Sequence, residues 1–163
     1  MRRVVLAASC LLIVLIPLTL LAEMPYFGPK PEKEDHPYLI LGDRIVETEE
    51  LEASQTEAKK RSVYSVPGTS SPVKSPLAEP AFLFKPGSIR AEAVQLYPMK
   101  VEKGNRTITF HTKPKKDDPR PVPLMYHAQK DGTVIIEANQ YLENGEYCLS
   151  PQGVNTVFCF QVY

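Results

Sequence analysis

Seven short apolar runs follow one another over 81–163, and turn residues such as Gly, Pro, Asn and Asp separate them. In chain order, the runs are AFLF, AEAVQLY, RTITFHT, VPLMYH, TVIIE, EYCL and TVFCFQV. RTITFHT alternates most clearly, because Ile108 and Phe110 lie on one face of an extended chain and the polar residues between them lie on the other. A helical period is absent, and runs spaced roughly ten residues apart are typical of an antiparallel β-sandwich. The sequence therefore predicts a single all-β sandwich domain over 81–163.

The segment 23–80 has a different composition, rich in proline, serine, lysine and glutamate. It offers little apolar surface to offset the conformational entropy that ordering would cost, so the sequence predicts a largely disordered tether. Within it, HPYLILGDRIVE over 36–47 has two apolar runs around Gly42-Asp43, which suits a short hairpin with a type II′ turn. The following ETEELEASQTEAKKR has acidic residues early and basic residues late, which favours at most a fraying helix without an apolar stripe.

The N-terminus, MRRVVLAASCLLIVLIPLTLLAEMP, has two basic residues followed by an unbroken apolar run. This is the layout of a secretory signal, and the sequence predicts a signal peptide over 1–22 that is removed after Ala22. The same run is long enough to span a bilayer, so an uncleaved signal anchor is the alternative. Both interpretations predict an exported protein, either secreted or periplasmic, with membrane attachment only through an uncleaved leader.

Removal of the leader takes away Cys10 and leaves Cys148 and Cys159, an even pair in an oxidising compartment. The sequence therefore predicts a disulfide between them. A strained, redox-active pair is the first alternative, and a zinc site is the second. The zinc site has too few ligands, because the histidines lie in other segments without metal-type spacing.

The last two runs also predict a register. If 146–150 pairs with 157–161 so that Cys148 faces Cys159, the neighbouring aromatic and leucine side chains all point to the other face of the hairpin. A slip by one residue would mix the two sets. The hairpin is therefore expected to place Tyr147 in the core and the cysteines on the opposite face.

The residues LENGEYCL, 142–149, carry a resemblance. Their L-x-x-G-x-Y pattern resembles the start of the penultimate strand in immunoglobulin-like sandwiches, where the tyrosine hydroxyl bonds back to the preceding loop as a tyrosine corner. The C-terminal half is similar to small immunoglobulin-like β-modules of secreted bacterial proteins of unassigned function. The resemblance implies a structural role for Tyr147 and no particular ligand. It departs from antibody-type domains, because the chain has no tryptophan and the cysteine follows the tyrosine directly.

No residue pattern indicates catalysis. His36, His111 and His127 belong to no catalytic or metal-ligating signature, and the last two are expected to be solvent-facing strand residues. Asp117 and Asp118 are adjacent, so their side chains would point to opposite faces of an extended chain. The sequence predicts no catalytic residue, no cofactor and no metal site. The 19 basic and 19 acidic residues also leave no overall field that would attract nucleic acid.

The stretch KPKKDDPRPVP is the best candidate for an interaction loop. Its basic residues are Lys113, Lys115, Lys116 and Arg120. A proline-punctuated basic loop suits contact with an acidic surface, but a merely soluble loop is the more ordinary role for such a stretch. Asn105 begins a glycosylation triplet for a eukaryotic host, and Lys59-Lys60-Arg61 is a candidate site for a basic-specific protease.

Together these features predict a non-enzymatic exported protein whose β-domain contacts a protein or a component of the cell envelope. One alternative is an accessory or inhibitory domain that acts on an exported enzyme. The other is a redox-active envelope protein that uses the cysteine pair.

Overall fold

A computed structural model describes residues 25–163, so the predicted leader over 1–22 lies outside the described residues. Over the described residues the chain forms thirteen strands and one 3-10 turn, Ala91–Ala93. The strands are β1 (Pro37–Leu41), β2 (Arg44–Glu47), β3 (Glu49–Glu52), β4 (Ser54–Ala58), β5 (Arg61–Pro67), β6 (Lys74–Ser75), β7 (Ala81–Phe84), β8 (Val94–Glu102), β9 (Asn105–His111), β10 (Leu124–Ala128), β11 (Val134–Ala138), β12 (Gly145–Pro151) and β13 (Thr156–Val162). Between residues 25 and 163, no helix has the length and apolar character needed to cross a membrane.

The strands form two sheets, which confirms the all-β class and the antiparallel sandwich. The first sheet has five strands in the order β10-β11-β7-β1-β2. The second runs β3-β13-β12-β8-β9-β5-β4, and the short β6 pairs in parallel with the end of β13. All seven runs predicted from the sequence are strands, β7 to β13, and they are shared between the two sheets.

The main hydrophobic core lies between the first sheet and the β13-β12-β8 part of the second. Phe82 of β7 and Phe160 of β13 meet across this interface with ring centroids 4.9 Å apart. Tyr147 stacks on Phe160 at 5.7 Å, and Leu39 and Leu149 are fully buried in the same cluster. The core therefore joins an early strand, β1, to the last hairpin of the chain.

The second sheet closes on itself. Its two ends, β3 and β4, are consecutive along the chain and are separated only by Ala53. Because β3 pairs with β13 and β4 pairs with β5, the strands form a barrel. The backbone N–H of Ala53 donates to the carbonyl of Asn155 at 2.9 Å, which fastens the joint to the β12–β13 turn. A second, smaller apolar cluster from five of these strands fills part of the barrel interior.

The tether predicted over 23–80 is wrong over the six strands β1 to β6, which contribute to both sheets. The fraying helix predicted for the acidic stretch is also wrong, because that stretch forms β3, β4 and the start of β5. The short hairpin over 36–47 is confirmed as β1 and β2, with Gly42 at a φ of +64° in the two-residue turn. These segments have too little apolar surface to fold alone, and they are ordered by pairing with distant strands.

Asp35 fastens the chain ahead of β1 to the loop that follows β7. Its carboxylate accepts the backbone N–H groups of Gly87 and Ser88 at 2.8 Å and of Ile89 at 2.9 Å. A side chain at Gly87 would place its Cβ 3.0 Å from a carboxylate oxygen, so glycine permits this close approach. Burial alone would raise the pKa of the Asp35 carboxyl, but the hydrogen bonds from residues 87–89 outweigh it and hold the pKa below its ordinary value.

Arg106 closes one end of the barrel from the inside. It is fully buried and follows the same alternation that points Ile108 and Phe110 inward. Its guanidinium donates to Glu49 Oε2 at 2.7 Å and to the carbonyl of Pro67 at 2.9 Å. Glu146 lies 3.7 Å from the same guanidinium and accepts the N–H of Ser71 at 2.9 Å. The ion pairs thus join β9 to β3 and β12.

We expect Arg106→Ala to lower the free energy of unfolding by about 3–5 kcal/mol, because it leaves buried carboxylates without their cation. The measurement is a denaturant unfolding curve. Arg90→Ala is the control, since Arg90 is exposed and makes only a surface ion pair with Glu92. A loss for Arg106→Ala no larger than the loss for the control would contradict a structural role for the buried ion pairs.

Asp35→Asn tests the contact between Asp35 and residues 87–89 through the pH dependence of stability. Because the folded-state pKa is lowered, the contribution of the charged carboxylate is present above the ordinary aspartate pKa of about 4 and is lost as pH falls through the folded value. We expect the variant to lose about 1 kcal/mol at neutral pH and to show a flatter decline of stability in acid. Asp43→Asn is the control, since it removes a carboxylate from the exposed β1–β2 turn. If the unfolding free energies of the wild type and Asp35→Asn change with pH in parallel, the Asp35 carboxylate does not contribute to stability.

Candidate binding cavity

A cavity of about 510 Å³ opens into the barrel at the end opposite Arg106. Strands β5, β8, β9, β12 and β13 supply its walls, and the β12–β13 turn forms part of its rim. The apolar lining residues are Ala53, Tyr64, Val66, Tyr97, Met99, Ile108, Phe110, Cys148, Pro151, Val154 and Val157. Cavities of this size with mostly apolar walls are typical sites for small molecules.

Three aromatic rings line the wall formed by β5, β8 and β9. Tyr64 and Tyr97 each pack edge-to-face with Phe110, at centroid distances of 6.0 and 5.7 Å. Strand alternation explains their placement: Tyr64 pairs directly with Ile108 across β5 and β9, so both point inward. The rings therefore present a fixed apolar surface to the cavity.

The polar groups of the lining are hydroxyls and amides. Tyr97 donates its hydroxyl to Gln95 Oε1 at 2.9 Å, and burial raises the pKa of the Tyr97 phenol, so the proton stays on the oxygen at neutral pH. Ser62, Ser150, Gln152 and Asn155 complete the set. Among the described lining residues none is charged. Such a surface can hold an apolar body and offer it a few hydrogen bonds.

The cysteine pair lies beneath this cavity. Cys148 opposes Cys159 directly in the register predicted from the sequence, and the structure bonds their sulfur atoms. The predicted sorting of side chains is confirmed as well. Tyr147 and Phe160 belong to the sandwich core, whereas both cysteines belong to the barrel cluster. Cys148 also lines the cavity, so the disulfide forms part of its floor.

Tyr147 lies on the other side of that sheet, away from the cavity. Its hydroxyl donates to the carbonyl of Glu143 at 2.9 Å, which is the bond back to the preceding loop that the immunoglobulin resemblance implies. Its role is therefore to hold the loop before β12.

The candidate interaction loop connects β9 to β10, and all four of its basic residues, Lys113, Lys115, Lys116 and Arg120, are exposed. Asp118 shapes the loop by accepting hydrogen bonds from the backbone N–H of Lys115 at 3.0 Å and from the imidazole of His111. These two hydrogen bonds hold the pKa of the Asp118 carboxyl below its ordinary value.

A second basic segment lies beside this loop. The backbone N–H of Thr112 donates to the carbonyl of Lys60 at 2.9 Å, and Arg61 pairs with His111. Residues 59–61 and the loop thus come together, although the sequence separates them by some fifty residues. We call residues 59–61 and 113–120 the basic rim. Ser62 and Phe110, the neighbours of Arg61 and His111 along the two strands, both line the cavity, so the basic rim lies at its mouth.

The three histidines are dispersed. His36 belongs to the segment predicted as a tether, but it is buried in the structure, with Nδ1 3.2 Å from Glu50 Oε2. His111 is half-buried beside Asp118, and His127 Nε2 lies 3.4 Å from Glu137 Oε2. Asn105 is exposed and begins β9 directly after the β8–β9 turn, at the barrel end away from the mouth. No group of three or more potential metal ligands occurs within residues 25–163.

Comparison with protein-family models, with curated proteins and with solved structures finds no match for this chain. Its site therefore has to be interpreted from the geometry.

The cavity has only a partial signal in the sequence. The alternation in RTITFHT predicts that Ile108 and Phe110 share a face, and this signal was correct. The neighbouring strand of the same wall carries Tyr64, which lies in the segment predicted as a tether. Without the pairing of β5 with β9, nothing in the sequence indicates that these side chains meet.

The double variant Cys148→Ala/Cys159→Ala tests how much the disulfide in the cavity floor stabilises the fold. The disulfide closes a loop with a sequence separation of 11, for which the chain-entropy model predicts a stabilisation of roughly 2–3 kcal/mol. We expect the double variant to lose about that much unfolding free energy while its far-ultraviolet circular dichroism stays β-type. The matched control is the wild-type protein unfolded with reductant present. A double variant as stable as the oxidised wild type would contradict a stabilising role for the bond.

Proposed function

We propose that this protein is an exported, non-catalytic binding protein and that the barrel cavity holds an apolar small molecule. The observation that carries this proposal is the cavity itself, about 510 Å³ in volume, with three fixed aromatic rings and uncharged polar groups. Apolar burial provides the affinity in such a site, and a few hydrogen bonds orient the ligand.

The chemistry of the lining favours binding over catalysis. General acid–base catalysis needs a titratable group near neutrality within reach of the substrate. The Tyr97 phenol has a raised pKa and donates its hydroxyl to a neighbouring amide. The lining provides hydrogen-bond donors and acceptors but no carboxylate or imidazole.

Export is the part of the proposal that rests on the N-terminal sequence. A basic start followed by a long apolar run is typical of a leader, and a disulfide between Cys148 and Cys159 is compatible with an oxidising compartment. The intact mass of protein purified from its own host tests it, since a cleaved leader removes the first 22 residues counted in the sequence.

Contact with a protein or an envelope component remains the second candidate, either for display or for inhibition of an exported enzyme. The basic rim favours it, because its cations are exposed and face an end of the barrel. A crosslinking pull-down with Lys113, Lys115, Lys116 and Arg120 replaced by glutamine tests this function. An unchanged set of partners would eliminate the loop as the contact.

The redox alternative has one supporting observation, which is that Cys148 lines an open cavity. An equilibrium titration with a thiol buffer tests it. A pair that stays oxidised at extracellular or periplasmic potentials does not act as a switch.

Ser62→Trp tests the cavity as a binding site. Ser62 points into the mouth of the cavity, so an indole there would occupy part of the volume. We expect this variant to bind the neutral fluorophore N-phenyl-1-naphthylamine at least about tenfold more weakly than the wild type, because the apolar surface that the probe needs is already covered. The measurement is fluorescence titration.

Ser65→Trp is the matched control, since it places the same side chain on the same strand with the opposite orientation. It should bind the probe as the wild type does. The chain has no tryptophan of its own, so each variant also carries a single indole whose emission reports its burial. Equal probe affinity in the two folded variants, or no binding to the wild type, would refute the cavity as the site.

A further inference from the structure

The mouth of the cavity is electrostatically one-sided. The basic rim contains seven lysine and arginine residues but only two acidic residues, Asp117 and Asp118. The seven cations are Lys59, Lys60, Arg61, Lys113, Lys115, Lys116 and Arg120, and all are exposed. None of them takes part in an ion pair within the described residues, whereas lysines elsewhere, such as Lys33 and Lys85, do. Their charge is therefore available to a ligand.

Three acidic groups near the mouth, Glu52, Glu57 and Asp118, already accept hydrogen bonds. Glu57 accepts the hydroxyl of Ser62 at 2.8 and 3.0 Å and also bonds to the side-chain amide of Gln55. Glu52 accepts the hydroxyl of Thr156. Asp118 is bonded within its own loop. These contacts hold the carboxylates in place, and the cations of the rim still outnumber them.

The cavity and its rim thus have different chemistry. The interior is aromatic and uncharged, so a charged group placed there would lose its hydration without a partner. The rim is hydrated and cationic, so an anionic group would be favoured there and not inside. A ligand that satisfies both regions has an apolar body and an anionic end.

We propose that the ligand of the cavity is a single-chain amphiphile with an anionic head group, whose chain enters the barrel while the head group stays at the basic rim. This inference rests on the proposed binding function and adds the class of ligand to it. The closed floor, formed by the Cys148–Cys159 disulfide and the apolar cluster around it, allows the chain to enter from one end only.

The test compares two ligands that differ only in the head group, dodecanoate and the neutral dodecanol, by displacement of N-phenyl-1-naphthylamine. Three proteins are used: the wild type, Lys60→Glu/Lys115→Glu at the rim, and Lys100→Glu/Lys130→Glu as a control with the same change of net charge. Lys100 and Lys130 are exposed and lie outside the cavity lining and the rim. Neither rim substitution removes the backbone contacts that link Lys60 to Thr112 and Lys115 to Asp118.

We expect the wild type and the control to bind dodecanoate at least about tenfold more tightly than dodecanol at low ionic strength, with the preference falling as salt is added. The rim variant should lose the preference while its affinity for dodecanol stays the same. This pattern supports the inference and the proposed function together.

Other outcomes distinguish the inference about the ligand from the proposed binding function. Equal binding of the two ligands to the wild type overturns the anionic class and leaves the cavity as a binding site. Failure of the probe and of both ligands to bind overturns the proposed function and the inference with it. Binding to phosphatidylglycerol vesicles through the rim, without displacement of the probe by dodecanoate, overturns the inference in favour of a membrane-contact surface.

Discussion

The antiparallel pairing of β12 with β13 is the contact on which both halves of the protein depend. One face of this hairpin supplies Tyr147 and Phe160 to the core between the sheets, and the other supplies Cys148 and Cys159 to the barrel. A shift of the register by one residue would exchange the two sets, which would place aromatic rings in the barrel and disperse the sandwich core. The disulfide restricts the pair to one register, so it defines the packing of both faces.

Closure of the second sheet follows from that hairpin. β13 pairs with β3 on the side away from β12, and the same stretch of chain continues through Ala53 into β4 and so to β5. The continuous segment β3–β4 therefore joins the two ends of the sheet, and the interior that it encloses must be filled. Arg106 and its carboxylate partners fill one end, the disulfide and its neighbours fill the middle, and the other end is left open as the cavity. The cavity is thus a consequence of how the barrel is filled.

The strands of 81–163 could be predicted because each is a short run of alternating or clustered apolar residues that ends in turn chemistry. Both signals are visible within a few residues. The strands β3 to β5 could not, because β3 and β4 are mostly polar and the apolar residues of β5 lie within a polar stretch. β3 and β5 are ordered by pairing with β13 and β9, which lie far along the chain. Glu49 illustrates this difference. In the sequence it belongs to an acidic stretch that favours a solvated helix, but in the structure it accepts a hydrogen bond from a guanidinium supplied by β9. Composition alone therefore underestimated how much of the chain is ordered.

The candidate site shows the same division. Ile108 and Phe110 were predicted to share a face, and the basic loop was recognised as exposed, but neither observation indicated a cavity. By itself, the sequence determined the all-β class, the strands from β7 onward and the register of the last hairpin, since short-range alternation and two cysteines decide them. Only the tertiary structure decided the closure of the barrel, the burial of Arg106, and the meeting of Tyr64 with Phe110 beneath the basic rim. Each of these depends on contacts between residues tens of positions apart, and local sequence carries no signal for such contacts.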